Sequence, residues 1–199
     1  MSAVLLVRLK ITDLTAWSAL ETGRRLLPRG ITLERLVREQ VLLFEPQPGT
    51  PPDVVEPGLL KAVRHSNFFV NPNKESYRLL GAGDRGDTWI PPEGAWGLLA
   101  RAREDTRDGA LMERLQREHP LEGLAMIRRA KVWWLWTLDA RGGAGIGAAS
   151  GALGELHDQR QGLLVNPHSE AAMVLDGPVP WSRVDRFLTE QTPAVHVEA

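Results

Sequence analysis

The chain has 199 residues, 43% hydrophobic and 25% charged, and its 24 basic and 25 acidic side chains leave a formal net charge of -1. That is enough for one sizeable core or two small ones, too apolar for wholesale disorder, and too evenly charged to draw in nucleic acid or an anionic membrane. With no cysteine, disulfides, thiolate catalysis, iron-sulfur clusters and cysteine-based zinc sites are excluded.

Residues 3–11 alternate and are rich in Val and Leu, which predicts a strand; Arg8 and Lys10 interrupt the run too early for a membrane span or a signal peptide. No later apolar run approaches the roughly 20 residues of a bilayer crossing, so a soluble, cytoplasmic protein is expected. Thr12 or Asp13 can cap a helix to about residue 27, with Leu14, Trp17, Leu20, Leu26 and Leu27 at helical spacing and Pro28 and Gly30 as its stop. A second strand is predicted over 33–45, closed by the breaker-rich loop 46–52, and a helix over 56–65 follows. Asn71-Pro72 turns the chain, and a strand over 77–80 completes the order β-α-β-α-β.

After the glycine-rich joint 81–86, a short strand is predicted at Trp89-Ile90 and helix over 94–118, with Gly109 dividing it. Arg101, Arg103, Arg107 and Arg114, interleaved with Glu104, Asp105, Asp108 and Glu113, read as that helix's solvated face. Residues 124–138 predict a long buried strand. On it Trp134 and Trp136 share one face, while Trp133 points oppositely with Leu135. A helix over 150–161 and a strand over 171–175 follow, and the tail carries a short helix over 181–189 expected to pack across the joint.

The same order thus occurs twice, and Val70-Asn71-Pro72-Asn73-Lys74-Glu75 returns as Val165-Asn166-Pro167-His168-Ser169-Glu170, 95 positions on, between a helix and a strand both times. Val37-Arg38 and Ile127-Arg128 each introduce an apolar strand. The expected architecture is α+β: two tandem ferredoxin-like units, 1–84 and 85–176, whose sheets pack as a pseudo-dimer, and a tail, 177–199.

The first half, over about residues 3–80, resembles PurS, a small subunit of phosphoribosylformylglycinamidine synthase. The carriers are Leu9-Lys10 closing the first strand, Val37-Arg38 opening the second, and Asn71, Glu75, Tyr77 and Arg78 in the turn before the last, the turn that Pro72 shapes. The second half is similar but more divergent, through Pro92-Glu93-Gly94-Ala95, Ile127-Arg128-Arg129-Ala130-Lys131 and Asn166, Pro167 and Glu170. The first copy lacks the Gly-Lys that usually follows Val-Arg; in the second, Ala130 replaces that glycine and Ala172 the tyrosine. The resemblance implies a non-catalytic bracket in purine synthesis between a synthetase subunit (PurL-type), which uses ATP to amidate formylglycinamide ribonucleotide, and a glutaminase subunit (PurQ-type) that releases the ammonia. It also implies self-association through the sheets, no catalytic residue and no cofactor.

Chemistry-bearing patterns are few. Residues 143–150, Gly-Ala-Gly-Ile-Gly-Ala-Ala-Ser, follow a strand and precede a predicted helix, as a phosphate-cradling loop does, but Ser150 stands where the third glycine belongs and a flexible connection is the simpler reading. His65, His119, His157, His168 and His196 are too scattered for a metal-ligand spacing, although His157, His168 and Glu170 could converge; no metal site is expected. Trp133, Trp134 and Trp136 are candidates for a buried sheet or a protein interface rather than for base stacking. A small-molecule-sensing α+β module is the rival reading, and a nucleotide-binding enzyme built on 143–150 ranks below it.

Overall fold

The computed structural model describes residues 2–190 apart from Pro28, Ser66, Ala82, Asp84, Asp105, 139–142, 155–162 and Pro167. Its elements run β1 (Ala3–Leu9), α1 (Leu14–Leu26), β2 (Thr32–Pro46), α2 (Pro52–His65), β3 (Glu75–Leu80), β4 (Thr88–Trp89), β5 (Trp96–Ala102), α3 (Thr106–Glu118), β6 (Leu124–Leu138), α4 (Gly143–Leu153), β7 (Glu170–Leu175), β8 (Val179–Pro180) and α5 (Trp181–Thr189). Six strands form one antiparallel sheet in the order β3-β1-β2-β6-β5-β7, and β4 and β8 make a two-residue ribbon beside it. The two 15-residue strands β2 and β6 pair along their whole length, from Thr32 with Leu138 to Pro46 with Leu124, with Gln40 opposite Lys131 midway.

Because successive strand residues point to opposite faces, each long strand serves two layers. On one face Leu5, Val7, Leu42, Phe44 and Ile127 lie under α2 and α3, whose Val55, Leu59 and Leu115 are buried there. Further along the same face, Leu33, Leu36, Leu98, Trp133 and Leu135 lie under α1 and α4. On the opposite face Val4, Leu43, Leu99, Val132 and Trp134 are covered by Trp181, Val184 and Leu188 of α5, so the tail helix touches strands from both halves of the sequence. Trp134 and Trp136 do share that face, with Trp133 and Leu135 on the other.

Three expectations are corrected. Residues 96–102 are a strand rather than part of a long helix: β5 lies inside the sheet between β6 and β7, and six of its seven residues are buried. A strand covered on both faces loses the alternation that marks half-exposed strands, and its Leu, Ala and Arg favour helix in isolation, so tertiary packing overrides propensity. Arg101 is therefore buried on β5 instead of solvated on a helix; its guanidinium donates to the carbonyl of Phe187, and burial lowers its pKa. Arg114 does stand on an exposed helix face, paired with Glu118 one turn on at 2.8 Å.

The second correction concerns α1. Asp13 caps it as expected, its carboxylate accepting from the N–H groups of Thr15 and Ala16 at 3.0 and 3.2 Å. The buried face, however, is Ala16, Ala19 and Gly23, while Leu14 and Trp17 are 72% and 59% exposed. The helix lies so close to the sheet that a Cβ on Gly23 would come within 3.1 Å of Leu33, and small residues permit this where Leu and Trp do not. Third, α4 begins at Gly143, so the glycine-rich segment is helix rather than connecting loop. The later part of the helix expected over 150–161 falls largely outside the described residues.

Candidate functional site

The two asparagine turns are built alike. At the first, the Asn71 carbonyl accepts from the N–H groups of Lys74 and Glu75, its side-chain oxygen accepts from Asn73 N–H at 3.1 Å, and its own N–H donates to Glu75 Oε2 at 2.7 Å. At the second, the Asn166 carbonyl accepts from Ser169 and Glu170, its side-chain oxygen from His168 N–H at 3.1 Å, and its N–H donates to Glu170 Oε2 at 2.8 Å. Asparagine closes the turn with its short side chain, and the glutamate three positions after the proline returns to satisfy the turn's opening N–H. Each turn delivers a six-residue edge strand, β3 and β7. Pro72 is exposed in the first turn; Pro167 lies outside the described residues. Tyr77 and Arg78 stand exposed on β3, and Arg78 is opposite Leu6.

The three tryptophans separate. Trp133 is 3% exposed and donates to the Leu164 carbonyl at 2.9 Å; Trp134 is 2% exposed and donates across β2 to Glu39 at 2.9 Å. Both side chains are thus taken up inside the chain. Trp136 is half-buried, donates to the Glu93 carbonyl at 3.0 Å, and carries the Arg35 guanidinium over its ring at 4.4 Å.

A polar strip crosses the middle of the helix-bearing face. Along β2, Arg38 and Gln40 separate Leu36 under one helix pair from Leu42 under the other; along β6, Arg129 and Lys131 likewise separate Ile127 from Trp133. Arg38 grips Asp13 with two bonds at 3.0 and 3.2 Å, so the carboxylate that caps α1 also ties it to the strand. Arg129 does the same for Asp108 in the first turn of α3, at 3.0 Å. The neighbouring Arg128 pairs instead with Glu45 on β2, at 2.8 Å. Lys131 reaches Glu170 on the edge strand at 2.8 Å.

Two cavities open on this strip, one of about 500 Å³ beside Ala100, Lys131 and Glu170, and one of about 610 Å³ beside Val7, Leu9, Gln40 and Glu75; Lys131 and Gln40 line both. The charged groups lining them are Arg38, Arg101, Arg129 and Lys131 against Asp13, Glu75, Glu104 and Glu170, an arrangement fit for holding a small charged or hydrogen-bonding group. Sequence reasoning did not single out Gln40, Arg129, Lys131 or Asp108 as a site. The available signal was a polar stretch in the middle of each long apolar strand, 38–40 and 128–131.

The other chemical candidates do not assemble. Among the described residues no three His, Asp or Glu side chains come together as a metal site, and His157 lies outside those residues. Within α4, Ser150 donates its hydroxyl to the Gly147 carbonyl at 3.0 Å, a bond inside the helix rather than around a phosphate. No described helix is long and apolar enough to cross a membrane. Compared with protein-family models, curated proteins and solved structures, the chain shows no significant match to any of them.

Proposed function

We propose that the chain is two copies of one β-α-β-α-β unit, 1–84 and 85–176, fused into a pseudo-dimer, and that it is a non-catalytic PurS-type subunit holding the synthetase and glutaminase of phosphoribosylformylglycinamidine synthase together. The observation that carries the duplication is the pair of asparagine turns, with the same set of hydrogen bonds in each and an edge strand after each. The β2–β6 ladder supports it: between Arg35 opposite Trp136 and Glu45 opposite Met126 it is centred on Gln40 and Lys131. A half-turn about that point carries each long strand onto the other, as in a symmetric dimer.

The purine role rests on the resemblance of these same residues to PurS. Its two halves join edge to edge in one sheet, so the chain already contains the association that two separate subunits would have to make, and its helices and edge strands are left to face partners. Mixed with the synthetase and glutaminase of its own organism, the chain is expected to co-elute with both in one peak on gel filtration, in the presence of glutamine and ATP. Elution of the chain alone under those conditions contradicts the proposal.

A further inference from the structure

Glu75 and Glu170 hold matching places. Each opens an edge strand, and each pairs with the residue closing the next strand inward, Leu9 or Ala102. Two residues back along those inner strands, Val7 faces Gln40 and Ala100 faces Lys131. In the second half Lys131 spans the interval and sets its ammonium on both oxygens of Glu170, at 2.8 and 3.0 Å. In the first half the corresponding side chain is Gln40, shorter, uncharged and exposed. Among the described residues Glu75 has no ion pair, and its carboxylate accepts from Asn71 N–H.

A cavity of about 500 Å³ lies beside the Lys131–Glu170 pair, and where Gln40 stands in the lysine's place the cavity beside Glu75 is about 610 Å³. Its cationic neighbours are already engaged, Arg38 with Asp13 and Lys131 with Glu170, which leaves the Glu75 carboxylate as the charge without a counterpart. We propose that this cavity binds the primary ammonium group of a small organic amine. Glu75 accepts the ammonium as Glu170 accepts Lys131, the Gln40 amide oxygen supplies a second acceptor, and Val7 and Leu9 pack the alkyl stem. The site goes beyond the bridging role and does not depend on it, since the comparison needs only the strand register.

The probe is n-butylammonium, which reproduces the end of a lysine side chain, titrated into the full chain at constant ionic strength and followed by amide NMR shifts. Saturable shifts are expected at Val7, Gln40 and Glu75, with tetramethylammonium, which has the charge but no N–H donor, binding about tenfold more weakly. Gln40→Lys, which supplies the ammonium from within at an exposed position, is expected to abolish these shifts while keeping the fold. Lys131→Gln is expected to open a second site, with new shifts about Glu170. No saturable shift up to about 100 mM, equal binding of tetramethylammonium, or shifts that persist in Gln40→Lys would overturn the proposal.

Discussion

Replacing Trp134 by alanine is expected to cost about 3–5 kcal/mol of unfolding free energy, which for a chain of this size lowers the melting temperature by about 6–20 °C. The side chain is 2% exposed and stands on the central strand pair, opposite Val37 on one side and Gly97 on the other. Its ring lies over Gly97 so closely that a Cβ there would come within 2.7 Å of it, which is why an interior strand carries a glycine at this point. Truncation removes this packing, leaves a cavity between strands from both halves, and strands the Glu39 carboxylate that accepts the indole N–H. Urea denaturation followed by circular dichroism measures the loss. A cost below about 1 kcal/mol contradicts the central place given to this residue.

A comparable loss, about 3–5 kcal/mol, is expected for Trp181→Ala, but with a different signature. Trp181 stacks on Trp89 at 4.9 Å with the rings 7° from parallel, Trp89 meets Trp134 edge to face at 5.5 Å, and the Arg85 guanidinium lies over Trp181 at 4.1 Å. Its indole N–H donates to the Arg85 carbonyl at 2.8 Å, and Arg85 pairs with Asp185 of the same helix at 2.6 Å. These contacts clasp α5 to the sheet; without the ring the helix loses its anchor, and the apolar face formed by Val4, Leu43 and Val132 opens to water. Limited proteolysis is expected to cut within 177–190 much faster than in the parent chain, with increased binding of a hydrophobic dye. Unchanged cleavage would show that Val184 and Leu188 suffice to hold the helix.

How much of this was legible in the sequence depends on what surrounds each element. β6 and α5 stand at the bounds read from their residues, because a long strand holding the run Val132-Trp133-Trp134-Leu135-Trp136 and an amphipathic helix after Pro180 carry their own signals. β5 was read as helix because burial on both faces erased its alternation. The outward turn of Leu14 and Trp17 was missed because the choice of buried face on α1 is made by the closeness of the sheet at Gly23, a distance that periodicity does not contain. The asparagine turns were found as a repeated motif, and their hydrogen bonds follow from the chemistry of Asn and Glu. The polar strip was not found, since Arg38 and Asp13, or Lys131 and Glu170, meet only once the strands are in register.

The proposal of a bridging subunit is tested most directly by the rate of formylglycinamidine ribonucleotide formation by the organism's synthetase and glutaminase, with and without this chain, driven in turn by glutamine and by ammonia. The account predicts that adding the chain raises the glutamine-driven rate and leaves the ammonia-driven rate unchanged, because it joins the two enzymes without taking part in the chemistry. Equal glutamine-driven rates with and without the chain would contradict it.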